Sequence, residues 1–256
     1  MTSNRHPVQV FTDVPAELLH LLEARLPRSI TLLRRLQFTN FPTGKTDSAS
    51  IIVASDVPLH ERHGDSVDVQ NSTIRHFTAA YLDPSHGFET NMWLYSTFED
   101  SNGAMPRQGR IYSTQPLAHP DHIFIGSLNK AVRDVALASG LRFGPTPKYE
   151  CEKIILHIDE LPPPRDPELP AGMVWGTGTV RDCELVKSRT NMPRSVHQEP
   201  FRRRDLAKTV SAKLIRDKTS AYGGDKFAAA DVAPDNTSSQ AMCKSLNGKV
   251  HWAGSW

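Results

Sequence analysis

The sequence predicts an α+β fold with α/β-like alternation, in which mixed sheets are flanked by helices and the chain forms two lobes. Segments with helical apolar periodicity alternate with short runs rich in β-branched and aromatic residues. Between them the run LPPPRDPELPAG, residues 161–172, contains five prolines, which is typical of a semi-rigid extended connector. We therefore predict an N-terminal lobe at 1–160, a linker at 161–172 and a C-terminal lobe at 173–256.

The N-terminal lobe is predicted to begin with two helices. Leucines recur at helical spacing through residues 15–26, and Asp13 precedes them at a position suited to a cap. A second leucine-rich helix is predicted over residues 29–37. Its adjacent basic residues, Arg34 and Arg35, are expected on the solvent face.

The rest of this lobe is predicted to alternate between strands and one helix. The strands cover residues 48–54, 76–82, 92–96, 122–125 and 153–158, and the helix covers 129–139 with Gly140 as its C-terminal cap. The second and third strands form a hairpin with a long connection. Three aromatic residues lie on that hairpin, and we interpret them as cross-strand packing, with a ligand cage as the alternative: Tyr81, Trp93 and Tyr95.

The C-terminal lobe is predicted to contain a short strand at 173–175 and helices at 180–189 and 206–216. A strand at 227–232 follows. Asp235 or Asn236 then begins a last helix that ends near Leu246, where Asn247-Gly248 is a stop signal. The chain closes with a final short strand at 249–252.

Composition and charge exclude several classes of protein. A formal net charge of +2 offers no uniform basic surface, so no nucleic-acid partner is expected. Three widely separated cysteines indicate neither a disulfide framework nor a zinc motif. The sequence has no secretory signal and no apolar run of about 18 residues, so we predict a cytoplasmic protein without a membrane span. Its oligomeric state is left open.

Two histidine pairs have a spacing that metal ligands can use. His60 and His63 are three residues apart, and His119 and His122 repeat that spacing. A zinc site needs three or four ligands in a tetrahedral array, and neither pair has an evident further partner. The sequence therefore predicts no metal.

The most informative segment is EPFRRRDLAK, residues 199–208, which leads into the predicted helix at 206–216. The first turn of a helix exposes backbone N–H groups without partners, and its dipole favours an anion. Arg202, Arg203 and Arg204 add charged donors suited to phosphate oxygens. The hypothesis is a phosphate-binding loop, and the alternative is a solvated run of charge.

This segment resembles the pyrophosphate loop of the GCN5-related N-acetyltransferases (GNAT), which carries Arg/Gln-x-x-Gly-x-Gly/Ala between a strand and a helix. The matching run is Arg202 to Ala207, and the preceding residues 199–201 match the end of the family's fourth strand. Residues 230–250 resemble its fifth strand and the helix that follows, closed by Gly248. Over its whole length the chain resembles, more distantly, the glycine N-acyltransferase-like branch, in which two such lobes lie in tandem.

The resemblance implies an N-acyltransferase that uses acetyl-CoA or another acyl-CoA as co-substrate and acylates a small amine. It implies phosphate and pantetheine contacts from Arg202, Arg203, Arg204, Asp205, Leu206, Ala207, Lys208, Asn236 and Ser239. His197 and Glu199 are candidates for the base that deprotonates the amine, or else ordinary surface residues. Cys243 occupies the position of the family's acidic tyrosine, and its alternative interpretation is a small buried hydrophobe.

The sequence departs from the family pattern in three places. Asp205 stands where the family has a glycine that lets the backbone approach the pyrophosphate. Between residues 189 and 201 there is room for only a very short strand, so the C-terminal lobe is predicted to lack central strands. Cys243 stands where many family members have a tyrosine acid, and the stop at Trp256 leaves little chain for the family's final strand. These departures support the alternative of a non-catalytic relative that acts as a binding or interaction protein.

Overall fold

The computed structural model describes residues 8–59, 74–85, 90–101, 123–142, 150–163, 172, 174, 176, 179–181 and 206–255. Within them two sheets and five helices form a mixed α+β architecture, which confirms the predicted fold class. The helices are α1 (Ala16–Glu23), α2 (Ile30–Phe38), α3 (Lys130–Ala138), α4 (Leu206–Lys218) and α5 (Thr237–Ser245).

The first sheet has five strands in the order β1-β2-β3-β4-β5. Neighbours from β1 to β4 are antiparallel, and β5 runs parallel to β4. The predicted hairpin is confirmed: Tyr81 and Trp93 are directly opposite and their rings meet edge to face. The strands are β1 (Val8–Phe11), β2 (Ser50–Ser55), β3 (Phe77–Asp83), β4 (Thr90–Ser96) and β5 (Ile123–Ile125).

Helices α1 and α2 cover one face of this sheet. Their leucines at i, i+3 and i+4 spacing are fully buried against inward-facing residues of β2, β3 and β4. The predicted cap was wrong, because α1 begins after Pro15 without a side-chain cap and Asp13 instead forms an exposed ion pair with Lys45, 2.8 Å away. Burial of the leucine stripe therefore stabilises these short helices more than their ends do.

The second sheet has four strands in the order β6-β9-β7-β8. β7 is antiparallel to both of its neighbours, so β8 and β9 run parallel to each other with β7 between them. Helix α5 makes the crossover from β8 to β9, and α4 and α5 pack on one face. The strands are β6 (Leu128–Asn129), β7 (Glu150–His157), β8 (Phe227–Val232) and β9 (Lys249–Ser255).

This sheet draws strands from both sides of the linker predicted at 161–172. β6 and β7 belong to residues assigned by sequence to the N-terminal lobe, whereas β8 and β9 follow the linker. Ile154 and Leu156 of β7 are the centre of the apolar layer beneath α4 and α5. The division into lobes at that linker stays a prediction.

The expectation of a short final strand at 249–252 was wrong. β9 is seven residues long and pairs with β6 on one side and β7 on the other. Sequence periodicity could not anticipate this pairing, because both partners lie about a hundred residues upstream. The strand predicted at 173–175, the helix at 180–189 and the missing strands before residue 201 lie mostly outside the described residues.

Helix α2 has a second packing face, which contacts the second sheet. Ile30 is buried with Ile155 and Trp252. Arg34 donates from Nη1 to Asp225 Oδ2 at 2.8 Å and from Nη2 to the Phe227 carbonyl. The predicted solvent position of Arg34 was therefore wrong, because α2 is covered on two sides and the ion pair lies in the contact between them.

The carboxyl group of Asp225 is stabilised in its charged form. Burial acts to raise its pKa, but hydrogen bonds from Arg34 and from the backbone N–H of Phe227 outweigh it and hold the pKa below the usual value. A carboxyl group with a lowered folded-state pKa stabilises the protein above its unfolded pKa. This contribution is lost as the pH falls through the folded-state value.

We expect Asp225→Asn to lower the free energy of unfolding by about 2 kcal/mol at neutral pH, because it leaves the Arg34 guanidinium without its carboxylate. Urea titration followed by circular dichroism measures the change. Asp159→Asn is the matched control: it removes an exposed ion pair with Lys226 on the adjoining turn and should cause no measurable change. Equal stability of the two variants would contradict the assigned role of Asp225.

Candidate functional site

Two helices begin toward the same end of the second sheet. The last turn of α4 lies near the beginning of β8, because Arg216 donates to the Pro162 carbonyl and Ile158 donates to the Lys226 carbonyl beside it. With a rise of about 1.5 Å per residue, the thirteen residues of α4 run back along the sheet for roughly 20 Å. Helix α4 therefore starts at the carboxyl end of β8.

The start of α5 lies at the same end of the sheet. Gln240, in its first turn, donates to the Glu152 carboxylate at 3.1 Å, and Glu152 is directly opposite Val232, the last residue of β8. Within the described residues β8 pairs with β7 alone, so β8 is an edge strand of the described sheet. An edge strand flanked by two helix starts offers N–H donors and positive dipole ends in one place.

Several residues predicted to bind acyl-CoA lie at this end. Leu206 and Ala207 begin α4, and the half-buried Lys208 follows in the first turn. Asn236, one of the two residues predicted to begin this helix, is the N-cap of α5, and its Oδ1 accepts from the Ser239 N–H at 3.2 Å. The remaining site predictions fall outside the described residues: His197, Glu199, Arg202, Arg203, Arg204 and Asp205.

Cys243 lies on the inner face of α5, away from that end. Its side chain is buried with Leu156, Val232 and Leu246. Burial raises the pKa of its thiol, and no other cause contributes. These surroundings match the alternative interpretation of Cys243 as a small buried hydrophobe.

Sequence reasoning missed a buried polar cluster on the opposite face of the second sheet. The carboxylate of Asp231, in β8, is 2.7 Å from the Nζ of Lys153, which is directly opposite in β7 and only 3% exposed. The same carboxylate accepts from Ser127 Oγ at 3.1 Å, and Cys151 Sγ lies 3.6 Å away. Asp231 thus links both strands to the turn between β5 and β6.

The cluster alters the chemistry of its cysteine. Burial, followed by the negative charge of Asp231, raises the pKa of Cys151 to about 11. The thiol is therefore protonated at neutral pH and is a weak nucleophile. Lys153 and Asp231 sit in strands that the sequence identified, but their register, which creates the pair, depends on contacts about eighty residues apart.

A second missed group is Glu99, which follows β4 and is buried. Its carboxyl accepts from the Ser96 backbone N–H at 3.1 Å and from the side chain of Asn129, the N-cap residue of α3. Burial, the largest influence, together with the nearby charge of Asp100, raises the pKa of Glu99 to about 8. Glu99 therefore joins the end of the first sheet to α3 as a largely neutral acid.

The part of the chain that the structure describes contains no metal-ligating cluster and no membrane-spanning helix. No group of three or more histidine, cysteine, aspartate or glutamate side chains is arranged to hold a metal ion among the described residues. No helix there is long and apolar enough to cross a bilayer.

The two sheets with their covering helices define an α+β fold of the acyl-CoA N-acyltransferase, GNAT-like type. The family model of the acyl-CoA N-acyltransferase verG N-terminal domain matches residues 6–198, and the chain belongs to this family. The chain is therefore an acyltransferase-type domain whose family uses acyl-CoA co-substrates and amine acceptors.

A solved structure supports the fold. The crystal structure of a Drosophila protein superposes with a TM-score of 0.57 over 98% of this chain and 97% of that chain, at 14% sequence identity. At that identity the similarity concerns the fold alone. No curated protein sequence matches the chain.

The buried Glu99 makes stability depend on pH. Its folded-state pKa of about 8 exceeds the ordinary value of 4.5, so the folded protein retains a proton that the unfolded chain releases. Stability should therefore decline as the pH rises from about 4.5 to 8. Glu99→Gln keeps the neutral shape and should be more stable than the wild type by on the order of 3 kcal/mol at pH 7.

The two proteins should differ little at pH 4.5, as measured by urea unfolding across the pH range. Glu150→Gln, an exposed carboxyl on β7, is the control and should leave the pH profile unchanged. A constant difference between Glu99→Gln and wild type at every pH would contradict a protonated Glu99.

Proposed function

We propose that the chain is an acyl-CoA-dependent N-acyltransferase of the glycine N-acyltransferase-like tandem branch, transferring an acetyl or other acyl group to a small amine. Membership of the verG N-terminal domain family supports the reaction class. The observation that carries the proposal is that α4 and α5 both begin toward the carboxyl end of the edge strand β8. Arg202, Arg203 and Arg204 precede α4 directly in the sequence.

In this proposal the start of α4 holds the pyrophosphate of acyl-CoA. The first backbone N–H groups of the helix, from Leu206 to Lys208, have no partners within it and donate to phosphate oxygens. The three arginines supply charge-assisted hydrogen bonds. Asp205 carries a negative charge like that of the phosphates, and this repulsion costs on the order of 1 kcal/mol near the surface.

The pantetheine arm then follows the free edge of β8. Its amide groups pair with backbone groups that have no strand partner in the described part, as an added strand would. Asn236 and Ser239 border this path at the start of α5. The thioester comes to lie beside the sheet, and the N-terminal lobe helps to form the acceptor site.

The chemical step is direct aminolysis of the thioester. The acceptor nitrogen forms a bond to the acyl carbon, the carbon–sulfur bond breaks, and the CoA thiolate takes up a proton. His197 or Glu199 is the proposed base, and backbone N–H groups polarise the carbonyl. We leave Cys243 out of the proton path, because its thiol is enclosed by apolar side chains.

Thermal denaturation with acetyl-CoA tests cofactor binding. At one hundred times Kd a ligand stabilises the folded state by about 2.7 kcal/mol, which should raise Tm by several degrees. Acetyl-pantetheine, which lacks the pyrophosphate, should give a smaller shift. No shift at millimolar acetyl-CoA would rule out this proposal for the chain. A shift without release of free CoA across a panel of small amines would instead favour a non-catalytic binding protein.

Arg202→Ala combined with Arg204→Ala should weaken acetyl-CoA binding at least tenfold, because charge-assisted hydrogen bonds are lost. The control is Lys213→Ala combined with Lys218→Ala, which removes the same charge from the body and end of α4 and should leave Kd unchanged. Calorimetric titration measures both. Equal effects of the two pairs would mean that only net charge matters.

Asp205→Gly should tighten acetyl-CoA binding by about fivefold, the equivalent of removing roughly 1 kcal/mol of like-charge repulsion. The same titration measures the change. Unchanged or weaker binding would indicate that Asp205 does not face the phosphates.

A further inference from the structure

The second arginine of α2 lies against the first sheet and is enclosed by aromatic rings. The guanidinium carbon of Arg35 is 4.0 Å from the ring centroid of Tyr81, 5.0 Å from that of Trp93 and 5.4 Å from that of Phe38. These four residues form what we call the Arg35 cage. The sequence-based expectation of a solvated Arg35 was therefore wrong, because α2 turns this residue towards β3 and β4.

The hydrogen bonds of Arg35 go to neutral acceptors. Nη1 donates to the Gly44 carbonyl at 2.9 Å, and Nη2 donates to Tyr81 Oη at 2.7 Å. Its Nε is buried and has no hydrogen-bond partner. A guanidinium has five N–H donors, so much of its capacity to donate is unused.

Three other partly buried arginines of the described chain are paired with carboxylates. Arg25 pairs with Asp100, Arg34 with Asp225, and Arg133 with Glu150. Arg35 has no such ion pair among the described residues. Asp83, two residues from Tyr81 on β3, directs its carboxylate to Thr46 Oγ1 at 2.9 Å and to the Ser85 N–H at 3.0 Å.

A partly buried cation without a counter-charge is costly, and cation–π contacts attract it without neutralising it. An added anion would remove that cost.

Trp93 supplies a second donor in the same cage. The described contacts of its ring are those with the Tyr81 ring and the Arg35 guanidinium, and neither is a hydrogen bond from the indole N–H. An added Cβ on Gly126 would be 2.7 Å from Trp93 Nε1, so the absence of a side chain at residue 126 leaves the space beside this nitrogen open. Phe38 is 40% exposed and Trp93 is half-buried, so these two rings form the solvent-facing rim.

We propose that the Arg35 cage is a binding site for a small oxyanion, the carboxylate or phosphate group of a ligand whose body rests on Phe38 and Trp93. The remaining guanidinium N–H groups and the Trp93 indole N–H donate to the oxygens, in the forked manner that suits both kinds of anion. The site lies on the first sheet, apart from the start of α4. It does not depend on the proposed acyltransferase function.

Isothermal titration of the full chain tests the site, with inorganic phosphate and malonate as probes at constant ionic strength. We expect saturable binding of one anion per chain. Arg35→Met keeps most of the apolar stem but removes the charge, and it should weaken binding at least tenfold. Arg133→Gln is the matched control, because it removes a similarly buried arginine that already has carboxylate partners, and it should leave Kd unchanged.

Trp93→Phe keeps the aromatic packing and removes only the indole N–H, so it should weaken binding about threefold or more. Trp93→Phe tests the binding site even if Arg35→Met does not fold. Saturable binding of phosphate alone identifies a phosphate-bearing ligand, and binding of malonate alone identifies a carboxylate. Absence of saturable binding to the wild type, or the same Kd in every variant, would overturn the proposal.

Discussion

The backbone hydrogen bonds of β7 hold the second sheet together, and the rest of the C-terminal part depends on them. β8 and β9 are parallel and do not pair with each other. The antiparallel β7 lies between them and forms backbone hydrogen bonds with one edge of each. Its side chains also supply the centre of the apolar layer beneath α4 and α5. Since β7 precedes the proline-rich segment in the chain, the described strands after that segment, β8 and β9, form their sheet by pairing with upstream strands. The two halves of the chain are therefore structurally interdependent.

Helix α2 packs against both sheets and so links the second sheet to the first. It has leucines towards α1 and the first sheet, and Ile30 and Arg34 towards the second. Its two adjacent arginines consequently point to different surroundings: one meets Asp225, and the other meets aromatic rings and neutral acceptors. The first pair is a fixed contact between the two sheets. The second arginine keeps an unneutralised charge, and that contrast between neighbours on one helix is the basis for assigning it a ligand.

Polar groups elsewhere in the interior also lie where chain segments meet. The Asp231 carboxylate contacts Lys153 and Ser127 where β7, β8 and the turn before β6 meet. Glu99 connects the end of β4 to the cap of α3. Both groups are satisfied by protein partners, which fits a role in fixing register and relative position. The proposed acyl-CoA path uses the opposite face and edge of β8, so the interior clusters support the sheet without competing for the cofactor.

The sequence by itself determined the local elements. Leucine spacing predicted α1 and α2, β-branched runs predicted most strands, Asn236 predicted the start of α5, and the hairpin of β3 and β4 followed from local turn signals. These features depend on residues close in the chain, where propensity and periodicity act. Only the tertiary structure decided the length of β9 and the position of β7 between β8 and β9. The same holds for the burial of Arg34 and Arg35 and for the pairing of Lys153 with Asp231. Each of these depends on partners tens of residues or more away, which local pattern cannot specify because burial and charge pairing are set by packing between elements.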